Sequence, residues 1–197
     1  MKRNPMGVIA VFALLAAAPA EGCSAGQMKA PLQPVKIIKS YAHDPQAFTQ
    51  GLLYDGGFLY ESTGREGLSS LRKVELETGG VLKIHRLSPV YFGEGLALAG
   101  GKLIQLTWLH GKGFVYDKET FRLVREFNFA PEGWGLTFDG KRLILSDGTP
   151  RLRFLDPATC KETGRLTVTD AGVPGGNLNE LGVVRGEILA TVWMRAV

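Results

Sequence analysis

Four short phrases recur along this 197-residue chain: Gln50-Gly51-Leu52, Glu94-Gly95-Leu96, Trp134-Gly135-Leu136 and Asn179-Glu180-Leu181. Each opens a short apolar run, followed by a Gly- or Asp-rich turn and a second apolar run. The leucines stand 44, 40 and 45 residues apart. A period of about 40–45 residues built from turn-punctuated strands is the pattern of an all-β propeller, in which each repeat is one blade of four strands. Thr78, Thr120 and Thr159, spaced by 42 and 39, carry the same period independently. The repeat predicts that Gln50, Glu94, Trp134 and Asn179 reach equivalent positions around one axis, where residues distant in sequence make a single site.

Alternating apolar residues and turn signals predict the strands within each cycle. In the first, 52–54 and 58–62 flank Asp55-Gly56-Gly57, and 71–76 and 81–87 flank Glu77-Thr78-Gly79-Gly80. The second cycle places strands at 96–99, 103–107, 114–116 and 123–127, and the third at 136–138, 143–146, 153–155 and 165–168. The fourth has 181–184 and 188–193, so that about three and a half blades are written between residues 35 and 197. Val35–Tyr41 alternates like a strand that would complete the last blade. An open ring leaves an unpaired edge, so either another copy or chain completes it or the chain is C-terminally truncated.

Residues 1–20 read as a secretory signal, with Lys2-Arg3, an apolar stretch from Met6 to Ala18 and the small-residue site Ala18-Pro19-Ala20. That stretch is short for a membrane span, and the expectation is a secreted or periplasmic protein. Cys23 offers the alternative of a lipid-anchored cysteine, although Ala20-Glu21-Gly22 before it fits a lipobox poorly. Residues 21–34 read as a flexible polar segment and 35–197 as the propeller domain. The net charge of +4 includes Lys2 and Arg3. No basic cluster remains beyond them, which argues against a nucleic-acid partner. Two cysteines make no metal site, His43, His85 and His110 lack ligand spacing, and Cys160 reads as a turn residue.

Glu94, in Phe92-Gly93-Glu94-Gly95-Leu96, has two readings. It is either a carboxylate satisfied by backbone donors at the start of a blade, or a functional acid in an apolar setting. Phe92 stands beside it. Trp108 and Trp193 each fall 12 residues after a repeat leucine, and with Trp134 all three tryptophans are expected at repeat-equivalent inner positions. That arrangement favours an aromatic-walled axial pocket over ordinary core filling. Gln50 and Asn179 are neutral amides that either cap turns or bind a polar, uncharged group such as an amide. Glu61 reads equally as a further site carboxylate or a structural partner. There is no nucleophile elbow, phosphate loop or Ser-His pair.

The strings 43–52 (HDPQAFTQGL) and 60–64 (YESTG), with Phe92-Gly93-Glu94-Gly95-Leu96, Thr107-Trp108, 132–137 (EGWGLT), 178–181 (LNEL) and Val192-Trp193, resemble the plant and bacterial type of glutaminyl-peptide cyclotransferase in order and spacing. The resemblance runs from about residue 35 to 193. It implies a five-bladed propeller that converts the N-terminal glutamine of peptides or proteins to pyroglutamate with release of ammonia, without a metal or organic cofactor. It further implies that Phe48, Gln50, Phe92, Trp108, Trp134, Asn179 and Trp193 bind substrate and that Glu94 is the general acid and base. Burial among aromatics is expected to raise the Glu94 pKa toward neutrality. The family's fifth blade, with the lysine it adds to the site, has no counterpart here, and the resemblance lapses at Met194-Arg195-Ala196-Val197. An inactive truncated propeller serving as a peptide-binding or scaffold module is the competing expectation. A structural lipoprotein acylated at Cys23 is a third.

Overall fold

Short turns organise the chain into meanders. In the computed structural model, which describes residues 36–193, Gly56-Gly57, Gly100-Gly101 and Arg185-Gly186 form two-residue hairpin loops with both residues at positive φ. That backbone matches the right-handed twist of the strands it joins, and it is open to glycine at no steric cost.

The first sheet holds β1 (Thr49–Asp55), β2 (Phe58–Thr63), β3 (Ser70–Glu75) and β4 (Val81–Arg86) in sequential antiparallel order. The second holds β5 (Gly93–Ala99), β6 (Lys102–Thr107), β7 (Lys112–Asp117) and β8 (Leu123–Asn128). The third holds β9 (Leu136–Phe138), β10 (Leu143–Leu145), β11 (Arg151–Leu155) and β12 (Glu162–Thr167). A small hairpin follows, β13 (Thr169–Asp170) with β14 (Val173–Pro174), and then the pair β15 (Leu178–Val184) and β16 (Glu187–Val192). Every expected strand from residue 52 onward has its counterpart, and the fold is an all-β, propeller-like stack of meanders. The β13–β14 hairpin is an addition.

One expectation fails. Residues 36–41 form no strand, and Ile37 and Ile38 are 80% and 91% exposed. Alternation alone makes no strand: the segment has no ladder partner among the described residues, and an unpaired extended backbone gains neither hydrogen bonds nor burial. The expected signal at 1–20, Cys23 and Val35 lie outside the described residues.

The core lies between sheets, because each strand shows alternate side chains to its two neighbours. Leu143 and Leu145 of β10 pack with Ile104, Leu106 and Val115 of the second sheet. Ile144 between them points the other way, toward Leu178 and Leu181. Likewise Leu103 joins Tyr60 and Leu71 of the first sheet. Burying each such leucine stabilises the stack by about 2 kcal/mol. The register is thereby specified, since a one-residue slip would exchange the two faces.

The repeat glycines allow the inner strands to meet. A Cβ on Gly51 would lie 2.6 Å from the Leu96 nitrogen, one on Gly95 would lie 2.4 Å from the Leu136 nitrogen, and one on Gly135 would lie 2.2 Å from the Asn179 oxygen. Each of these glycines therefore faces the backbone of the next repeat. The Gly95 N–H donates to the Trp134 carbonyl at 2.7 Å. Ser146, fully buried, donates from Oγ to the Asn179 carbonyl at 2.6 Å and accepts from the Gly135 N–H at 2.8 Å.

Candidate active site

Three repeat positions furnish the pocket. Counting from the repeat leucines, Phe48 and Phe92 lie four residues before, Gln50, Glu94, Trp134 and Asn179 two before, and Trp108 and Trp193 twelve after. All eight line one cavity of about 330 Å³ where the inner strands converge. Irregularities in pairing aim three of them inward. Register shifts between Thr49 and Gly51, between Gly93 and Leu96, and between Leu178 and Leu181 fall at Gln50, Glu94 and Asn179. A bulge of this kind re-aims a side chain that regular pleating would send elsewhere.

The tryptophans are not all equivalent, contrary to expectation. The Phe92 carbonyl accepts from the Trp108 N–H, and the Asn177 carbonyl accepts from the Trp193 N–H, each across the same sixteen-residue offset. In the other two repeats that place belongs to Gly64, paired with the Phe48 carbonyl, and to Gly148. A Cβ at Gly64 would strike the Phe92 ring at 2.3 Å, and one at Gly148 the Trp134 ring at 2.7 Å. Trp134 therefore starts from the repeat position of Glu94 and lies over the space that Gly148 leaves. Phe92 makes edge contacts with Phe48 and Trp108, at centroid separations of 6.1 and 5.7 Å.

Glu94 is 5% exposed, and its Oε1 accepts a 2.8 Å hydrogen bond from the Gln50 amide. Burial pushes its carboxyl up to about 8; the Gln50 bond opposes this and the Glu132 carboxylate adds to it. The group is therefore a mostly neutral acid near pH 7, able to give a proton and to take one back.

Two further carboxylates support the site without lining its cavity, and the sequence reading does not single them out. Glu132, at the repeat position of Phe48 and Phe92, accepts on Oε2 from the indole N–H of both Trp108 and Trp134 at 3.0 Å. It fixes two walls of the pocket. Glu180 stands where the other three repeats carry glycine. Its Oε1 accepts from the Leu52 N–H at 3.4 Å, linking the fourth inner strand to the first, while its buried Oε2 has no hydrogen-bond partner. Burial pushes this carboxyl up to about 9, opposed by the Leu52 bond and reinforced by Glu94.

Glu61 resolves as a structural partner. It is buried outside the pocket, accepting from Thr49 Oγ1 at 2.5 Å and lying 2.9 Å from His43 Nε2. Those contacts tie the segment before β1 to the first sheet. Cys160 is the turn residue expected, and it is packed into the core. Among the described residues no three His, Cys, Asp or Glu side chains converge as a metal site.

Both acids, Glu94 and the partly buried Glu180, carry a stability signature. Their folded values of about 8 and about 9 lie above the ordinary 4.5. The folded chain thus keeps protons that the unfolded chain has released. Their contribution is complete below about 4.5 and is lost as pH rises through about 8 and 9. Thermal unfolding followed from about pH 5 to about pH 9 is expected to show a falling Tm, with a shallower fall in Glu94→Gln. A Tm that climbs across this interval would contradict two protonated carboxyls.

The glutamine cyclotransferase family profile matches residues 8–197. The chain is 44% identical over 164 residues to the glutaminyl-peptide cyclotransferase of Arabidopsis thaliana, a match covering 82% of this chain and 51% of the relative. It thus spans about half the length of that curated relative. The crystal structure of Myxococcus xanthus glutaminyl cyclase superposes with a TM-score of 0.75 at 36% identity, covering 81% of this chain and 67% of the other. The Myceliophteria thermophila Cps50 (Swd1) β-propeller domain shares the fold alone, with a TM-score of 0.50 at 15% identity over 77% of this chain and 65% of its own. The repeats, the pocket they assemble and these matches place the chain in the glutamine cyclotransferase family.

Proposed function

We propose that this chain cyclises the N-terminal glutamine of peptides and proteins to pyroglutamate, releasing ammonia, with Glu94 as general acid and base. The observation that carries this reading is a single carboxyl of pKa about 8, buried in an aromatic pocket and held by the Gln50 amide. A peptide α-ammonium ionises at about 7.7–8.0. Proton transfer between the two is therefore nearly isoenergetic, which suits one group to both directions.

In the proposed sequence the Glu94 carboxylate takes a proton from the α-ammonium. The freed amine attacks Cδ of its own side chain, forming the ring C–N bond. Glu94 then delivers the proton to Nε2 of the γ-carboxamide; the oxygen that took up the carbonyl π electrons during attack re-forms C=O, and the Cδ–Nε2 bond breaks with loss of ammonia. The ring nitrogen sheds its remaining extra proton, which ammonia finally carries away as ammonium. Gln50 keeps Glu94 in place, and Asn179 offers an amide to orient the γ-carboxamide. The reaction is intramolecular, so most of the pocket's contribution is positioning. The aromatic walls of Phe48, Phe92, Trp108, Trp134 and Trp193 keep water from competing with the amine.

Incubation with a Gln-initiated peptide is expected to release ammonia, and an Asn-initiated control to release none, because its shorter side chain would have to close a strained four-membered ring. Equal release from both would remove the reading. We also propose that residues 1–20 direct export, which the N-terminal mass of the mature chain tests, an acylated Cys23 being the opposing result.

A further inference from the structure

Phe48 belongs to two depressions. Besides the axial pocket it lines a second, of about 520 Å³, that runs over β3 and β4 of the first sheet. Three arginines line it, Arg65, Arg72 and Arg86. The carboxylate of Asp44, which shares the lining, is already engaged. Its Oδ2 accepts from Arg72 Nη1 at 2.9 Å and its Oδ1 from the Gln46 N–H at 2.9 Å. Arg72 also donates from Nε to Ser70 Oγ at 2.9 Å and lies 3.9 Å from buried Glu61. Arg65 and Arg86 have no carboxylate partner among the described residues.

Arg65 links the two depressions, since its guanidinium carbon lies 5.2 Å from the centroid of the Phe48 ring. Its backbone holds φ at 83°, a left-handed conformation uncommon for a residue with a side chain. Val81 and Ile84, both exposed, give the depression an apolar floor.

We propose that this depression is the subsite for the residues that follow the N-terminal glutamine, and that it binds a carboxylate there. The inference rests on the cyclotransferase reading. A glutamine seated with its amine and side chain against Glu94 must send the rest of its peptide out over the rim, and Phe48 is a rim residue, 41% exposed. Arg65 and Arg86 line the depression beside that exit without a carboxylate partner among the described residues, and a guanidinium fork matches the planar geometry of a carboxylate. The carboxylate comes from an acidic side chain or from the free C-terminus of a short peptide. The subsite touches no reacting atom and binds ground and transition states alike, so its effect falls on KM.

The test compares Gln-Ala-Ala amide with Gln-Glu-Ala amide, Gln-Ala-Ala free acid and Gln-Lys-Ala amide, on the parent chain and on Arg65→Gln/Arg86→Gln. The carboxylate-bearing peptides are expected to exceed the neutral amide by about fivefold in kcat/KM at low ionic strength, with the gain in KM. That ratio is expected to fall toward one in about 1 M salt and in the double variant. The Glu and free-acid arms show which source of carboxylate is used. An unchanged ratio in the double variant, or equal KM for all four peptides, overturns the subsite and leaves the chemistry standing. Isothermal titration of the same peptides into Glu94→Gln reads the subsite without turnover. Carboxylate-dependent affinity there that Arg65→Gln/Arg86→Gln removes sustains the subsite even where no peptide is cyclised, an outcome that would sink the enzymatic reading alone.

Discussion

Glu94→Gln is expected to lower turnover by about 10²–10⁴-fold while leaving the fold intact. The substitution keeps the shape of the side chain and its ability to accept the Gln50 amide hydrogen. What it removes is the proton that the proposed cycle moves twice, once off the α-ammonium and once onto the departing nitrogen. In the parent chain the acid limb of kcat/KM against pH is expected to have a midpoint near 8, because the carboxylate form must be present to start the cycle. That limb disappears with the residue. Glu94→Gln also removes a buried group that resists ionisation, so the variant melts no lower than the parent above about pH 8. A variant that folds and keeps parental turnover would move the acid–base role elsewhere.

Gly135→Ala is expected to cost about 3 kcal/mol of stability, the upper range for an overpacked site. Its Cβ would lie 2.2 Å from the Asn179 oxygen, 2.8 Å from the Glu180 Cα and 2.9 Å from the Leu181 nitrogen. All three are backbone atoms, so no side chain can rotate out of the way. β9 and β15 must separate, which strains the Ser146 bridge and moves Asn179 within the pocket. For a chain of this size the loss corresponds to a fall in Tm of about 6–12 °C. Gly182→Ala is the matched control, because Gly182 lies in β15 with no atom within 4 Å of the added methyl. Similar melting of the two variants would show that the inner strands are not in limiting contact.

Much of this site is legible in the sequence because a repeat converts spacing into geometry. Once Leu52, Leu96, Leu136 and Leu181 are aligned, Gln50, Glu94, Trp134 and Asn179 must share a level around the axis. The same alignment identifies Trp108 and Trp193 as partners. Grouping Trp134 with those two misleads, since its ring reaches the pocket from the repeat position of Glu94 by lying over Gly148. Glu132 and Glu180 are harder to read. One acidic residue before a glycine looks like any turn, and nothing local shows that Glu132 spans two indoles. Glu180 shows in the sequence only as a departure from the glycine of the other repeats, and its reach to Leu52 depends on the closeness of strands 128 residues apart. Residues 36–41 err in the opposite direction: their alternation is that of a strand, but a strand exists only where a neighbour pairs with it.

In the proposed reaction the pocket around Glu94 closes a ring rather than adding water. Mass analysis of a Gln-initiated peptide after incubation with the parent chain and with Glu94→Gln tests it directly. A product lighter by one ammonia, with an equal amount of ammonia in solution, is expected from the parent chain alone. A folded parent chain that leaves the peptide unchanged, or that returns the Glu-initiated peptide of simple hydrolysis, would contradict it.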